Sequence, residues 1–242
     1  MYMTRFPINL TLRETRSMLA SPYRLHAAVA GSFARQQREG DAGRVLWRVD
    51  NVPGGGKSLL IVSPDVPDLR GLNEQIGWEE KQWATAGYEP FLSAIKEGQI
   101  YRFRLKANPV VSRSRIKDDA GRSKRMAHLT LLQQEAWLAG ALAFENAGQA
   151  VPELFPKAPT SRAERSGFAI ETDPATGLLR MHVSDSQKVR FKAGQGGRQI
   201  TLSTAVYDGV LKVTDAGALR RALTLGMGRA KGFGCGLLTL AR

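Results

Sequence analysis

Residues 44–63 read RVLWRVDNVPGGGKSLLIVS, two apolar, β-branched runs (Arg44–Val52 and Lys57–Ser63) on either side of a PGGG turn. Runs of that composition, separated by Pro and Gly, form a β-hairpin. The elements around it decide which sheet the hairpin joins. Upstream, Thr4–Leu10 reads as a strand, and Ser21–Gln36 as a helix opened by Ser21 at the N-cap with Pro22 in its first turn. Downstream, Asp68–Trp78 reads as a second helix and Gln82–Phe91 as a weaker extended stretch. The order is βαββαβ.

A second unit of the same order follows. Gln99–Pro109 (QIYRFRLKANP) alternates like a strand, and Leu129–Ala147 is one long helix rich in Leu and Ala. Two or three extended segments span Phe168–Val206, Asp215–Leu225 is helical, and Cys235–Leu240 closes the chain as a strand. The expected fold is α+β, two tandem ferredoxin-like domains of the RNA-recognition-motif kind, residues 1–97 and 98–242. A chain of 242 residues can bury cores of that size without staples. Its one cysteine, Cys235, excludes an internal disulfide and a multi-cysteine metal site. Three histidines make a His-rich metal site a poor reading, so neither metal nor cofactor is expected. No run of about 18 uncharged apolar residues and no secretory leader is seen, so a membrane is not an expected partner and the expected location is the cytoplasm.

The formal charge is +13, and its distribution says where a polyanion would bind. Residues 1–97 carry 12 basic and 11 acidic side chains, whereas residues 98–242 carry 23 and 11. Two segments concentrate the excess. Ser112–Arg125 holds Arg113, Arg115, Lys117, Arg122, Lys124 and Arg125 against Asp118 and Asp119, and Lys188–Arg198 holds Lys188, Arg190, Lys192 and Arg198 against no acid. Such runs are either solvated loops or a phosphate-tracking surface with salt-dependent affinity. In KVRFKAGQGGR the three leading cations alternate with Val189 and Phe191, so an extended backbone puts them on one face, and the glycines can close a hairpin. A basic hairpin suits structured RNA, which is read by shape and backbone.

The helix SPYRLHAAVAGSF puts Leu25, Ala28, Val29 and Phe33 on its core stripe. His26 and Tyr23, three residues apart, share a second face flanked by Ala27 and Ala30. An imidazole beside a phenol could move the proton of a ribose 2′-hydroxyl or of a 5′-oxyanion leaving group, although a lone helical histidine is more often structural. His128 and His182 have no evident partner in the sequence. GGGKS at 54–58 lacks the first glycine of a P-loop and precedes a strand, and GMGRAKGFGCG at 226–236 runs from helix to strand with the wrong spacing for a dinucleotide fingerprint. No nucleotide cofactor is expected. Five glycines in eleven residues instead suit close backbone packing, with Arg229 and Lys231 carried on the same loop.

Three motifs in this order, SPYRLHAAV, FRLKANP followed by SKR at 123–125, and the C-terminal GMGRAKGFGCGLLTLAR, resemble the CasE family, the CRISPR repeat endoribonucleases of the type I-E Cascade complex. The resemblance runs the length of the chain. It implies tandem ferredoxin-like domains and metal-independent cleavage of precursor crRNA at the 3′ side of the repeat stem-loop. It implies 5′-hydroxyl and cyclic-phosphate ends, retention of mature crRNA, and other Cascade subunits as partners. By motif, the catalytic histidine falls on His26 and its supporting tyrosine on Tyr23. A lysine that some relatives carry shortly afterwards is Gly31 here, which leaves Arg24, Arg229 or Lys231 as the candidate cation. The rival reading is a non-catalytic RNA-hairpin-binding subunit in which His26 only packs.

Overall fold

The structure, a computed structural model, describes residues 1–34, 43–117, 121, 123–146, 160–194 and 196–242, with the side chains of 112–117, 123–125, 142 and 146 outside that description. The first half runs β1 (Tyr2–Ile8), α1 (Arg13–Leu19), α2 (Pro22–Gly31), β2 (Leu46–Val52), β3 (Gly56–Ser63), α3 (Arg70–Ile76), β4 (Ala84–Gly87) and α4 (Glu89–Ala94). Its sheet is antiparallel with order β2-β3-β1-β4, the interleaved order that two crossing βαβ connections produce. In β1, Thr4, Phe6 and Ile8 are buried and Arg5 is exposed, the period of a strand with one face on the core. Against that face lie Leu25 and Val29 of α2 and Leu72 and Ile76 of α3.

The second half runs β5 (Ile100–Ala107), β6 (Val110–Lys117), β7 (Ser123–Ala127), α5 (Leu131–Ala139), α6 (Ala141–Asn146), α7 (Arg162–Arg165), β8 (Phe168–Ile170), β9 (Met181–Lys192), β10 (Gln199–Val213), α8 (Ala216–Leu225) and β11 (Leu238–Ala241). Its sheet has the order β11-β5-β10, with β8 and β9 sharing the far edge of β10 end to end: β9 pairs with Gln199–Gly209 and β8 with Leu211–Val213. The same interleaving therefore recurs, with β8 and β9 together in the place of one strand.

Several expectations are corrected. The long helix over 129–147 is two helices. A capping box starts α5, where the Thr130 hydroxyl accepts the Gln133 N–H at 3.2 Å. Gly140, at φ +85°, ends it, and only glycine fits there, because Ser161 Cβ lies 2.6 Å from where a side chain would begin. The Ser21–Gln36 helix stops at Gly31, and residues 35–36 lie outside the described residues. Helices α1 and α4 were not anticipated, and within the basic stretch 112–125 the chain forms the β6–β7 hairpin.

The halves are joined by more than the linker. Leu46 and Val62 of the first sheet belong to the core that also holds Phe103, Leu105, Leu223 and Leu237. Beside them Arg48, 1% exposed, donates to both oxygens of Asp50 at 2.7 and 2.8 Å, to the carbonyls of Arg104 and Leu237 at 2.9 and 2.8 Å, and to the Thr239 hydroxyl at 2.8 Å. One guanidinium thus ties β2 to β5 and to the closing strand, with its charge matched by a bidentate carboxylate. Cys235 lies fully buried at the base of that strand, and burial pushes its thiol pKa up to about 12. Among the described residues no helix is long and apolar enough to cross a membrane.

Candidate active site

Helix α2 begins as its sequence requires: the Ser21 hydroxyl accepts the Arg24 N–H at 3.4 Å, and Pro22 occupies the first turn. With Leu25 and Val29 buried, His26 is turned sideways into the seam between α2 and the glycine-rich loop, half-buried, and Tyr23 is exposed beside it. The loop meets His26 as a single 3-10 turn, Lys231–Phe233. A Cβ on Gly232 would sit 3.5 Å from the His26 Cε1 and Nε2 atoms, so the backbone there runs in van der Waals range of the imidazole.

Two further glycines hold that turn in place. Gly234, at φ +76°, presses on the Trp47 ring, where a Cβ would come within 2.6 Å. Gly236, at φ +90°, would drive a Cβ to 2.7 Å from the Met227 carbonyl oxygen. A side chain at either position meets both steric and backbone strain. The crowding of glycines in the sequence is therefore a packing device that brings loop backbone to the histidine.

An aromatic relay connects this seam to the basic hairpin β9–β10. Phe233 packs edge-on to His26, ring centroids 6.3 Å apart, and Phe191 of β9 packs edge-on to Phe233 at 5.0 Å. Because Phe191 is buried there, the alternation of the strand leaves Lys188, Arg190 and Lys192 exposed together, as the sequence pattern implied. The turn of the hairpin closes with the Ala193 N–H donating to the Arg198 carbonyl at 3.2 Å. It passes Tyr23, the Gly194 Cβ position being 3.7 Å from the phenol oxygen.

Next to the seam opens a cleft of about 930 Å³. Arg44, Lys188, Arg198, Arg229 and Lys231 line it, and among the described residues no carboxylate does. His26 stands just behind its wall, separated from it by Phe233. The His26 pKa is lowered, first by burial and then by the charge of Arg44; that of Lys231 is lowered by the same two causes. The imidazole is thereby biased toward its neutral, proton-accepting form. Arg44, whose N–H donates to the Thr224 carbonyl at 3.1 Å, is the functional candidate that sequence reasoning missed. It reads as the first residue of a strand, and only its contact with α8, 180 positions away in the chain, brings it here.

The other expected site residues divide clearly. Arg24 is turned away to α1, where it pairs with Glu14 at 2.5 Å and with the Ser17 hydroxyl, so it does not join the cleft. At Gly31 nothing lies within 4 Å of a Cβ position, so that face of the helix is open. Arg113, Arg115 and Lys117 fall on β6 and Lys124 and Arg125 on β7, with their side chains outside the described residues; Arg122 lies outside them altogether. His128 is buried and His182 is exposed, and neither lines the cleft. Among the described residues no three of His, Cys, Asp and Glu gather where a metal could be held.

The family model for CRISPR associated proteins matches residues 1–242. The chain belongs to that family. The CRISPR-associated endoribonuclease Cse3 of Thermus thermophilus is 28% identical over 246 residues, which is 100% of both chains. A solved structure of CRISPR endoribonuclease Cse3 bound to a 19-nucleotide RNA shares 25% identity with a TM-score of 0.75, covering 100% of each chain. A chain of a CRISPR RNA-guided surveillance complex in a pre-nicking state has a TM-score of 0.60 at 22% identity, over 100% of this chain and 99% of that one, and bears on the fold alone. The resemblance to CasE proteins carried by the three motifs thus extends over the whole CRISPR-associated chain, as does its tandem ferredoxin-like α+β fold.

Proposed function

We propose that this CasE-type chain cuts precursor crRNA at the 3′ side of the repeat stem-loop by attack of a ribose 2′-hydroxyl on the adjacent phosphorus, with His26 as the proton-transfer group and without a metal ion. It is an endoribonuclease that binds and processes CRISPR repeat RNA and retains the product for the Cascade complex. The observation that carries the mechanism is the neutral-biased imidazole of His26, held against the Gly232 backbone beside a cleft lined by cations and, among the described residues, by no acid.

In this reading the scissile phosphodiester lies on the seam at the edge of the cleft, over the exposed part of the half-buried His26, and the adjoining backbone enters the cleft. Arg44 and Lys231 oppose the charge that develops on the pentacoordinate phosphorus, filling the role left open at Gly31. His26 accepts the 2′-hydroxyl proton, the 2′-oxygen bonds to phosphorus, and the bond from phosphorus to the 5′-oxygen breaks; the leaving oxygen takes a proton from water while the imidazolium returns its own to solvent, closing a 2′,3′-cyclic phosphate and freeing a 5′-hydroxyl. Tyr23 orients the strand between α2 and the hairpin turn. Lys188, Arg190, Lys192 and Arg198 grip the stem, helped by the cations of the β6–β7 hairpin and by Arg229. Much of the acceleration comes from holding the 2′-oxygen, phosphorus and 5′-oxygen in line. The division of labour follows a boundary at 97/98, the first domain supplying His26 and Tyr23 and the basic second domain the grip. The proposed location is the cytoplasm, where the transcript is made.

The deciding experiment is cleavage of a cognate repeat stem-loop in EDTA, set against His26→Ala and against an RNA with a 2′-deoxy sugar at the scissile position. Cutting should survive chelation and fail with either change. Tight binding with no cutting by the intact protein would leave an RNA-binding subunit without catalysis.

A further inference from the structure

On the other side of the glycine-rich loop lies a second, smaller cavity of about 380 Å³. Four of its walls are cations: Arg162 and Arg165 of α7, Arg221 of α8, and Lys231. Among the described residues neither an aspartate nor a glutamate lines it. Among the described residues none of the four forms an ion pair, although the neighbouring Arg220 spends its guanidinium on the carbonyls of Leu92 and Ile95 at 2.8 and 2.7 Å.

Arg162 is the anchor of the group. Its guanidinium stacks 4.2 Å from the centre of the Trp137 ring, which fixes its plane, and its Nε is buried without a hydrogen-bond partner. Burial first, and then the charges of Arg165 and Arg229, work against its cation. A cation so placed is costly unless an anion completes it. The two cavities adjoin along the glycine-rich loop, since Gly228 and Lys231 belong to both walls.

We propose that this cavity binds a backbone phosphate of the unpaired strand that continues from the scissile position, one step beyond the cleavage cleft. The inference rests on the RNA-cleavage reading given above. A single phosphate with its sugar fits a cavity of this size, while a base-paired stem does not. A shared Lys231 requires the two occupants to be neighbours along one polyanion, and planar arginines are the side chains that fork onto phosphate oxygens.

The test uses the full chain and a repeat hairpin made uncleavable by a 2′-deoxy sugar at the scissile position. It is prepared with both single-stranded flanks, with the 5′ flank trimmed, with the 3′ flank trimmed, and with both trimmed. Dissociation constants are measured across a salt series for the intact protein and for the double variant Arg165→Ala/Arg221→Ala, whose two side chains are exposed at the rim. The variant should bind the full RNA roughly tenfold more weakly, and its salt slope should fall by about 0.7, the share of one single-strand phosphate that is no longer neutralised. Trimming the 3′ flank should cost the intact protein the same factor and cost the variant nothing more, whereas trimming the 5′ flank should leave the difference between the two proteins unchanged; the reverse result would overturn the proposal. Equal affinities of the two proteins for the full RNA at every salt would overturn the proposal. So would a defect that persists undiminished on RNA lacking both flanks, which would put the two arginines on the stem-loop itself. Arg162→Lys, which keeps the charge and loses the fork, repeats the test if the double variant melts early. Failure of the intact protein to bind any hairpin would instead sink the RNA reading itself.

Discussion

Arg44 and Arg48 stand four residues apart and have opposite fates. Every direction of the Arg48 guanidinium is spent: a bidentate carboxylate, two carbonyls and a hydroxyl surround it, and it is 1% exposed. Arg44 faces an open cleft with four other cations and, among the described residues, no acid. The first arrangement holds two sheets together, because a buried charge stabilises a fold only when its desolvation is offset by complete pairing. The second leaves charge uncompensated, which costs stability in the isolated protein and is repaid when a polyanion arrives. The lesson is that in a chain of formal charge +13 the cations proposed to meet RNA are those around which the described residues place no acid.

The comparison can be broken at several points. If the open cluster exists for chemistry, His26→Ala should lower the single-turnover cleavage rate by at least about 10²–10⁴-fold, the usual worth of a general base, while filter-binding affinity for the hairpin barely changes. If Arg48 is the structural member of the pair, Arg48→Ala strands Asp50 and three other acceptors, and urea unfolding should show a loss of about 3–5 kcal/mol. Arg44→Ala should invert that pattern. Its stability should stay within about 0.5 kcal/mol of the parent, while cleavage slows by up to ~10²-fold, the scale of one lost charge-stabilising donor.

The same Arg44 substitution sharpens the electrostatic side. Since burial and then Arg44 lower the His26 pKa from 6.5, the acid limb of kcat/KM should lie below that value, and in Arg44→Ala it should move up toward it. A limb that does not move would mean that Arg44 is electrostatically remote. The sign for stability agrees: below 6.5 the unfolded chain takes up a proton that folded His26 resists. The His26 contribution, fully present above 6.5, is therefore lost as pH falls through the folded value. The smallest expected effects belong to the hairpin. Lys188→Glu, Arg190→Glu or Lys192→Glu should each flatten the salt dependence of binding by about one unit of slope.

How much of this was legible beforehand follows the range of the interactions. The hairpin at 44–63, the α2 cap and the alternation of Lys188, Arg190 and Lys192 are set by neighbours in sequence, and the structure keeps them. The pairing of His26 with the glycine-rich loop was foreshadowed only by the density of glycines, because the contact spans about two hundred residues. Gly140 was hidden inside a Leu- and Ala-rich pattern: the helix breaks there on a positive φ, and the need for glycine comes from Ser161, distant in the chain, which occupies the space where a side chain would go. Helix α1 was missed because seven residues with two arginines and a glutamate carry too little apolar periodicity to announce a helix. Arg44 was unreadable as a site residue for a related reason: its neighbours in sequence build a strand, and its partners are elsewhere.

Cys235 gives the chain an internal clock. As the only thiol in 242 residues, wholly buried and with its pKa pushed up to about 12, it is silent toward alkylating reagents while the closing strand is in place. Any alkylation therefore times the opening of that strand from the sheet, without a probe being added. A cysteine placed on the hairpin or at the rim of either cavity could, by the same token, be labelled without background from the rest of the chain.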